Sequence, residues 1–563
     1  MKKGKPYMRK YFFFLLGLLF LFWLGQRIHM RLDLTQDSRY TLSQASEDLC
    51  AQLEEDLIIE VFLGGELPSE FIRLRSETDQ LLAEYQQENN RLFYRIIDPL
   101  AEEANPEVIQ QQLAQLGLKA VQVDVQKSGR LTSELVYPWA LAYYQGRTVK
   151  IPLLKNNLGS TTGDRINASI QNLEYAISEA LSKLVNPKRK KVAVLKGNGQ
   201  TSDRFIADFF GTLRDYYFIA PFTLDSVAVS PVKTLQELSE FDLIVSAGPT
   251  ESFTEEEKYV LDQYQLDGGH SLWLIDGAQQ QLDSLSGNLF AFPRDLNLND
   301  YFFRYGARVN PNLVKDVYSA PILLASGADS QAEYNRFPWF YYPLSVSAGG
   351  HPISINLEGV KFEYASVIDT LPNQVEKTVL LSTSPLSKVV GLPTPIDYDR
   401  DIPENLRIVN EGPGPESGYN QGELPLAVLL EGDFPSVFRN RIKPFDYSDN
   451  RESGTSKMVI ISDADLINNQ LESNGRPVEL GFDRFTGNFY GNKEFLLNTV
   501  NFLLDDNGLI NIRSKEVAIA VMDPEKIVAQ RLKWQLTNIL IPIVLLAFFG
   551  LSFRWFRKRR YSR

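Results

Sequence analysis

Residues Lys191 to Phe210 read KVAVLKGNGQTSDRFIADFF. Val192 to Leu195 form a short apolar run, the pattern of a strand buried on both faces, and after Gly197 and Gly199 the pattern becomes helical. Strand, glycine turn and helix is the layout of a phosphate-binding loop. The side chains do not complete one. A Walker loop requires a lysine and a hydroxyl after its last glycine, and Gly199 is followed by Gln200 and Thr201. A dinucleotide fingerprint requires a third glycine, and Ser202 stands in its place. Backbone N–H groups still point outward from such a turn, so Gly197, Asn198, Gly199 and Gln200 are candidate ligand-binding residues, weighed against a tight turn without a ligand.

Downstream, YYFIAPFTL, FDLIVSAGP, TEEEKYVLDQYQLDGG and SLWLIDG alternate strand and helix patterns. Thr254 and Glu257 form a capping box, and Gly268 or Gly269 stops the helix. The alternation predicts a parallel sheet with helices on both faces, a Rossmann- or flavodoxin-like α/β domain of the kind also used by amidotransferases, over residues 187–294. Upstream, strand and helix patterns run β-α-β-α-β-β-α: LIIEVFL, Ser69 to Gln87, RLFYRII, Pro106 to Leu116, strands in KAVQVDVQ, ELVYPWALAYY and RTVKIPLL, then Arg165 to Val185. This order predicts a thioredoxin-like domain over residues 31–186, and GGELPSEF in place of a C-x-x-C excludes redox chemistry. Residues 295–515 read as an α+β extension that returns to the α/β sheet through KMVIISDADLINN and a helix burying Phe495, Leu496, Val500 and Leu503. Gly391 to Glu423, rich in Pro, Gly and acids, is expected to be an exposed loop.

The chain has 563 residues and a formal charge of −12, unevenly spread. Residues 1–10 and 554–563 carry eleven basic residues and no acid, so the stretch between them holds −23. Each basic end abuts an apolar run, giving expected membrane helices at 11–30 and 534–553 with cytoplasmic tails at 1–10 and 554–563. Trp23, Trp534 and Trp555 fall where interfacial aromatics sit. QRIHMRLDL follows the first run without a small-x-small cleavage site, which favours a retained anchor over a cleaved signal. Both termini are then cytoplasmic and the body lies outside, periplasmic for an inner-membrane protein.

A single cysteine, Cys50, excludes an intrachain disulfide; it shares a helix face with Leu42, Leu49 and Leu53, in a helix for which Thr41 and Gln44 suggest a capping box. His29, His270 and His351 lack metal-ligand spacing, no G-x-S-x-G exists, and neither a metal nor a cofactor is expected. His270, Ser271 and Asp276 are close in sequence, but Ser271 opens a strand that should be buried. Asp276 follows that strand, where α/β folds place ligand groups, and is a ligand candidate against the commoner role of capping a turn. Asp463 and Asp465 are the best acidic pair, but a divalent metal would need more oxygens from elsewhere, and the pair reads as a solvated turn. Lys188 to Lys191 read as a solvated linker and imply no nucleic-acid partner.

RLDLTQDSRYTLSQAS after the first apolar run, ELPLAVLLEGDFPSVFRNR, VIISDADLINNQ, HPISINLEGVKFEYAS and GNKEFLLNTVNFLLDDNGLI together resemble the GldG family, the auxiliary membrane subunit of a gliding-motility-associated ABC transporter. Members often carry Gly-His-Gly-Glu where this chain has Gly197, Asn198, Gly199 and Gln200, so both ionisable groups are replaced. The resemblance implies a noncatalytic auxiliary or substrate-binding subunit beside an ABC permease and a cytoplasmic ATPase, in contact with membrane lipid, whose outside domains bind a substrate, an envelope partner or another subunit, and leaves the oligomeric state open. An envelope scaffold, or an envelope hydrolase or amidotransferase, is the alternative.

Overall fold

Three chain segments build the first sheet. The computed structural model describes residues 17, 41–100, 106–127, 130–155, 162–186, 188–282, 289–326, 333–505, 508–514 and 524–561. The expected first membrane helix apart from Gly17, the basic tail before it, Trp23 and His29 lie outside the described residues. The chain divides into two compact units, Met1–Glu516 and Val517–Arg563. Its elements are of mixed α/β type, with eleven α-helices among the described residues.

The first unit begins with α1 (Gln44–Ala51), β1 (Leu57–Val61), α2 (Ser69–Glu88), β2 (Leu92–Ile96) and α3 (Pro106–Gln115). There follow β3 (Val121–Lys127), β4 (Arg130–Val136), β5 (Trp139–Tyr144), β6 (Arg147–Pro152) and α4 (Thr162–Val185). β1 pairs parallel with β2 and antiparallel with β5, giving the order β2-β1-β5-β6. On one face Leu57, Ile59 and Val61 pack with Phe71, Leu74 and Leu82 of α2 and with Leu173, Ile177 and Leu181 of α4. Cys50 is buried in that core, and burial pushes its thiol up to about 12. The cap of α1 is Ser43, not Thr41: its Oγ accepts from the Ser46 N–H, while the Ser43 N–H donates to the Glu174 carboxylate at 2.7 Å. That bond, made across 131 residues, fixes Ser43 just outside the helix.

ELVYPWALAYY does not form one strand. β4 makes a hairpin with β3, Tyr137 and Pro138 turn the chain, and β5 joins the sheet. Proline has no N–H to give a central ladder, which is why the run breaks there.

The second sheet starts from β7 (Lys191–Lys196), α5 (Asp203–Leu213), β8 (Phe218–Thr223), α6 (Pro231–Leu238), β9 (Leu243–Ala247), α7 (Glu255–Leu266) and β10 (His270–Leu274). The capping box of Thr254 and Glu257 opens α7, and Gly268 follows it at φ 97°. After an insertion the chain returns at Ser453–Ile461, which pairs parallel with β10. The five parallel strands lie in the order β8-β7-β9-β10-(453–461). Alternate residues feed opposite faces, as a strand buried on both sides requires. Val192, Val245, Leu272 and Val459 pack against α5 and the helix Asn492–Leu504, and Phe495, Leu496, Val500 and Leu503 of that helix are buried there. Ala193, Ile244, Trp273 and Ile460 pack against α6, α7 and the helix Asn299–Tyr305.

The insertion extends the same sheet with the antiparallel strands Pro425–Pro435, Glu376–Ser382, Glu333–Ser347 and Ser319–Ser326. Gly391 to Glu423 is not an exposed loop throughout. Thr394–Ile396 pairs with Leu289–Pro293, and Tyr398–Glu411 is a helix capped by Asp397, whose side chain accepts from the N–H groups of Asp399 and Arg400. Asp401 anchors that helix by accepting from Lys315 Nζ at 3.0 Å, with both side chains buried.

The last turn of the first unit, Leu509–Ser514, is fastened by a buried ion cluster. Glu494 meets Lys155 Nζ at 3.0 Å and Arg513 Nη2 at 2.7 Å. Arg513 also donates to the Ile355 carbonyl and lies over the Tyr175 ring. Burial alone would raise the Glu494 carboxyl, but Lys155 and Arg513 hold it below the ordinary range.

The second unit contains the helix Pro524–Tyr561, in which Gln530–Arg559 holds an 18-residue window of mean hydropathy 2.2. Among the described residues it is the one helix long and apolar enough to cross a membrane. Trp534 and Trp555 lie near its two ends, 57% and 54% exposed.

Replacing Glu494 by Gln leaves two buried cations facing a neutral amide. The Glu494→Gln protein is expected to lose about 3–5 kcal/mol of stability, read as a lowered urea midpoint of the full chain in detergent micelles.

Candidate functional site

Open α/β sheets place ligands beyond the carboxyl ends of their strands, where the strand order reverses. Here β7 lies between β8 and β9, so the reversal falls between β7 and β9. The turn after β7 brings Gly197, Asn198, Gly199 and Gln200 to that point. Gly197 and Gly199 have φ of 111° and 70°, a left-handed backbone that suits glycine. A Cβ on Gly197 would stand 2.7 Å from Asp225 Oδ1, and one on Gly199 would collide with Thr250 Oγ1.

The turn spends its polar groups on its own surroundings. Asn198 N–H donates to Gln200 Oε1 at 2.8 Å, and the Asn198 carbonyl accepts from the N–H groups of Thr250 and Glu251. Asn198 Nδ2 donates to Glu257, the same carboxylate that caps α7. Thr250 Oγ1 donates to the Gly199 carbonyl, and Lys196 pairs with Asp203 at 2.6 Å. Asn198 is buried. The Gly197–Gln200 turn is thus braced against the β9 loop and α7 by direct contacts at the place where a phosphate would sit.

The next two parallel strands end in acids. Asp276 lies two residues past β10, and its Oδ1 accepts from Ala464 N–H at 2.7 Å, with Arg294 at 3.9 Å. Asp463 follows Ile461, is fully buried, and accepts from the N–H groups of Glu363 at 2.6 Å and Asp465 at 2.7 Å. Glu363 pairs with Lys361 at 2.6 Å. Asp276, Asp463, Asp465 and Glu363 thereby form one acidic edge. Burial, then Asp465 and Asp276, push the Asp463 carboxyl well above the usual range against the Glu363 N–H. Burial raises Asp276 as well, opposed by the Ala464 N–H and Arg294. Among the described residues no group of three or more His, Cys, Asp or Glu is placed to hold a metal.

The sequence singled out Asp276, Asp463 and Asp465, which the parallel register of adjacent strands brings together. It gave no sign of Glu363, which arrives from the insertion. The expected solvated turn at Asp463 is corrected, since that carboxylate is fully buried beneath the Glu363 and Asp465 N–H groups. Asp276 caps the turn at Ala464, and His270 lies at the opposite end of β10, roughly 20 Å away at a strand's rise of about 3.3 Å per residue. Ser271 is fully buried and donates to Gln265 Oε1, so these residues do not form a triad. His351 packs on Phe502, and burial followed by Lys457 lowers its imidazole to about 4. The basic run joins α4 to β7 with Lys188, Arg189 and Lys191 exposed, and Lys190 and Lys191 make surface ion pairs with Asp242 and Glu240. Beside it lies a cavity of about 450 Å3 lined by Tyr175, Lys183, Tyr216, Tyr217 and Asn501, away from the acidic edge.

Residues 189–499 match the family described as an ABC-type uncharacterized transport system, and residues 36–143 match a domain family of unknown function. An uncharacterized protein of Borreliella burgdorferi is 20% identical over 538 residues, with 94% of each chain covered. Among solved structures, the mmIFT52 N-terminal domain is 14% identical, with 56% of this chain and 98% of that one covered, at a TM-score of 0.33.

Two changes probe the site. Gly199→Ala should cost on the order of 2 kcal/mol in stability through the left-handed backbone and the collision with Thr250, measured by urea unfolding. Asp276 has a carboxyl raised above its ordinary 3.8, so the native state holds a proton that the unfolded chain releases, and its contribution is lost as pH rises. Asp276→Asn should therefore melt above the parent at pH 7 to 8, with the difference vanishing below pH 4 in a thermal-melt series.

Proposed function

The chain belongs to the ABC-type uncharacterized transport system family, and on that premise we propose that it is a noncatalytic, membrane-anchored auxiliary subunit of an ABC transporter, of the gliding-associated GldG kind. The observation that carries the reading is the family match over residues 189–499, which takes in the parallel sheet and nearly all of its insertion. Association with the membrane runs through the apolar helix within Pro524–Tyr561, with the basic tail 554–563 in the cytoplasm. A second anchor at 11–30 would place both termini inside and the body in the periplasm.

The strand order β2-β1-β5-β6 supports a thioredoxin-like domain over residues 31–186. The order β8-β7-β9-β10-(453–461), which is 2-1-3-4-5 in chain order, supports a flavodoxin-like domain at 187–294 completed by the end of the 295–515 extension. The internally braced turn and the distance from His270 to Asp276 favour binding and coupling over catalysis. On this reading the subunit rests beside a permease and a cytoplasmic ATPase, which supplies the ATP chemistry. The body binds a transported substance or an envelope partner.

The test is mass spectrometry of what co-purifies with the tagged chain from gently solubilised membranes. An ABC ATPase and a permease should appear in a fixed ratio. Their absence under several detergents would sink the proposal.

A further inference from the structure

Open strand edges are templates for pairing with another chain, and proteins blunt them with proline or charge. Among the described residues the four-stranded sheet ends in β2 and β6, and the ten-stranded sheet ends in β8 and Ser319–Ser326. Pro152 closes β6, Pro221 sits in β8 and Pro321 in Ser319–Ser326. β2, Leu-Phe-Tyr-Arg-Ile, has no proline, and its one charged residue, Arg95, is paired with Glu60 of the same chain.

The backbone of β2 is poised for a partner. The Arg91 carbonyl accepts from Leu57 N–H and Ile97 N–H donates to the Val61 carbonyl, so residues 91, 93, 95 and 97 turn their peptide groups towards β1. The Leu92 N–H is spent on the Asn89 carbonyl at 3.1 Å, while the Leu92 carbonyl and the peptide groups of Tyr94 and Ile96 turn outward, and that side of β2 has no strand neighbour among the described residues. The adjoining sheet face is open too. Phe93 is 46% and Ile58 44% exposed, and together with Glu60, Tyr94, Arg95 and Tyr143 they line a shallow depression of about 430 Å3. Arg95 pairs with Glu60 on that face.

We propose that β2 is the contact through which this chain associates with a second copy of itself, by antiparallel β2–β2 pairing about a two-fold axis at Tyr94. The sequence of the strand singles out this register. With the axis at Tyr94, the outward peptide groups of Tyr94 meet those of the second copy, Leu92 faces Ile96 on the core side, and Phe93 faces Arg95 on the open side. A guanidinium over an aromatic ring is an attractive cross-strand pair. Moving the axis to Phe93 keeps the hydrogen-bond pattern but sets Arg91 against Arg95, and moving it to Arg95 sets Arg95 against itself. Like charges directly opposite are destabilising. Axes between residues set inward peptide groups against outward ones and throw the apolar residues onto the wrong face. A two-fold contact needs a patch that complements itself, and this strand does so in one register.

The experiment uses the full chain in detergent micelles. Tyr94→Cys places two thiols opposite each other, at the Cα spacing of about 5.5 Å of a hydrogen-bonded pair, inside the range a disulfide spans. Cys50 is buried and does not compete. Mild oxidation should convert most Tyr94→Cys chains to covalent dimers, and Lys150→Cys on the opposite sheet edge should give none. Tyr94→Pro removes an outward N–H without touching a β1 bond, and should halve the molar mass measured by light scattering. A parent chain that scatters as a monomer, a mass unchanged by Tyr94→Pro, or failure of the Tyr94→Cys chains to crosslink overturns the proposal.

Discussion

The parallel pairing of β10 with Ser453–Ile461 governs the layout of the body. Leu272 lies beside Val459 and Leu274 beside Ile461, although the whole insertion intervenes in the chain. Because the two strands run the same way, the chain must cross from the carboxyl edge back to the amino edge before it can re-enter the sheet. The insertion makes that crossing and adds its own strands on the way, which turns a parallel sheet into a mixed one. Both large apolar clusters use residues from either side of the join, so neither face of the sheet is complete without residues beyond 453. The same pairing explains the acidic edge. Adjacent parallel strands end side by side, and the residues just past each end, Asp276 and Asp463, become neighbours.

The local features were legible because their causes are local. The capping box at Thr254, the glycine stop after α7, the buried face of Asn492–Leu504 and the buried cysteine follow from short-range pattern. The errors arose where a distant partner decides the outcome. Ser43 caps α1 because Glu174 holds its N–H. The Tyr398–Glu411 helix, in an acidic, proline-containing stretch, buries Asp401, which is compensated by the adjacent Arg400 and by Lys315, a contact that spans 86 residues. At the candidate site the strand-end residues could be read from the sequence, whereas Glu363 and the bracing by Thr250 and Glu257 depend on which loops the sheet brings together. At Pro138 the break is hidden because Tyr137 and Trp139 on either side continue an aromatic strand pattern.

A parallel sheet whose reversal point is filled by its own side chains has given up the usual advantage of its architecture. Asn198, Gln200 and Thr250 satisfy one another, and the acids at the next strand ends are held by backbone N–H groups. What remains for recognition is the outer surface and the junction between α4 and the second sheet. At that junction Glu494 binds cations from two other segments, one of them only a few residues before the chain continues towards the apolar helix. An auxiliary subunit is suited by such a division, with a rigid interior and contacts at the periphery.

The late return of the chain to its sheet also has a consequence in time. Polypeptides emerge from the ribosome at about 5–20 residues per second, so the insertion takes on the order of ten seconds or more to appear after β10. Throughout that interval the hydrogen-bonding edge of β10 and the apolar side chains of Leu272 and Trp273 await a neighbour that has not yet been made. The order of synthesis therefore sets a period of vulnerability in the life of each molecule, during which one unfinished strand stands open to wrong partners.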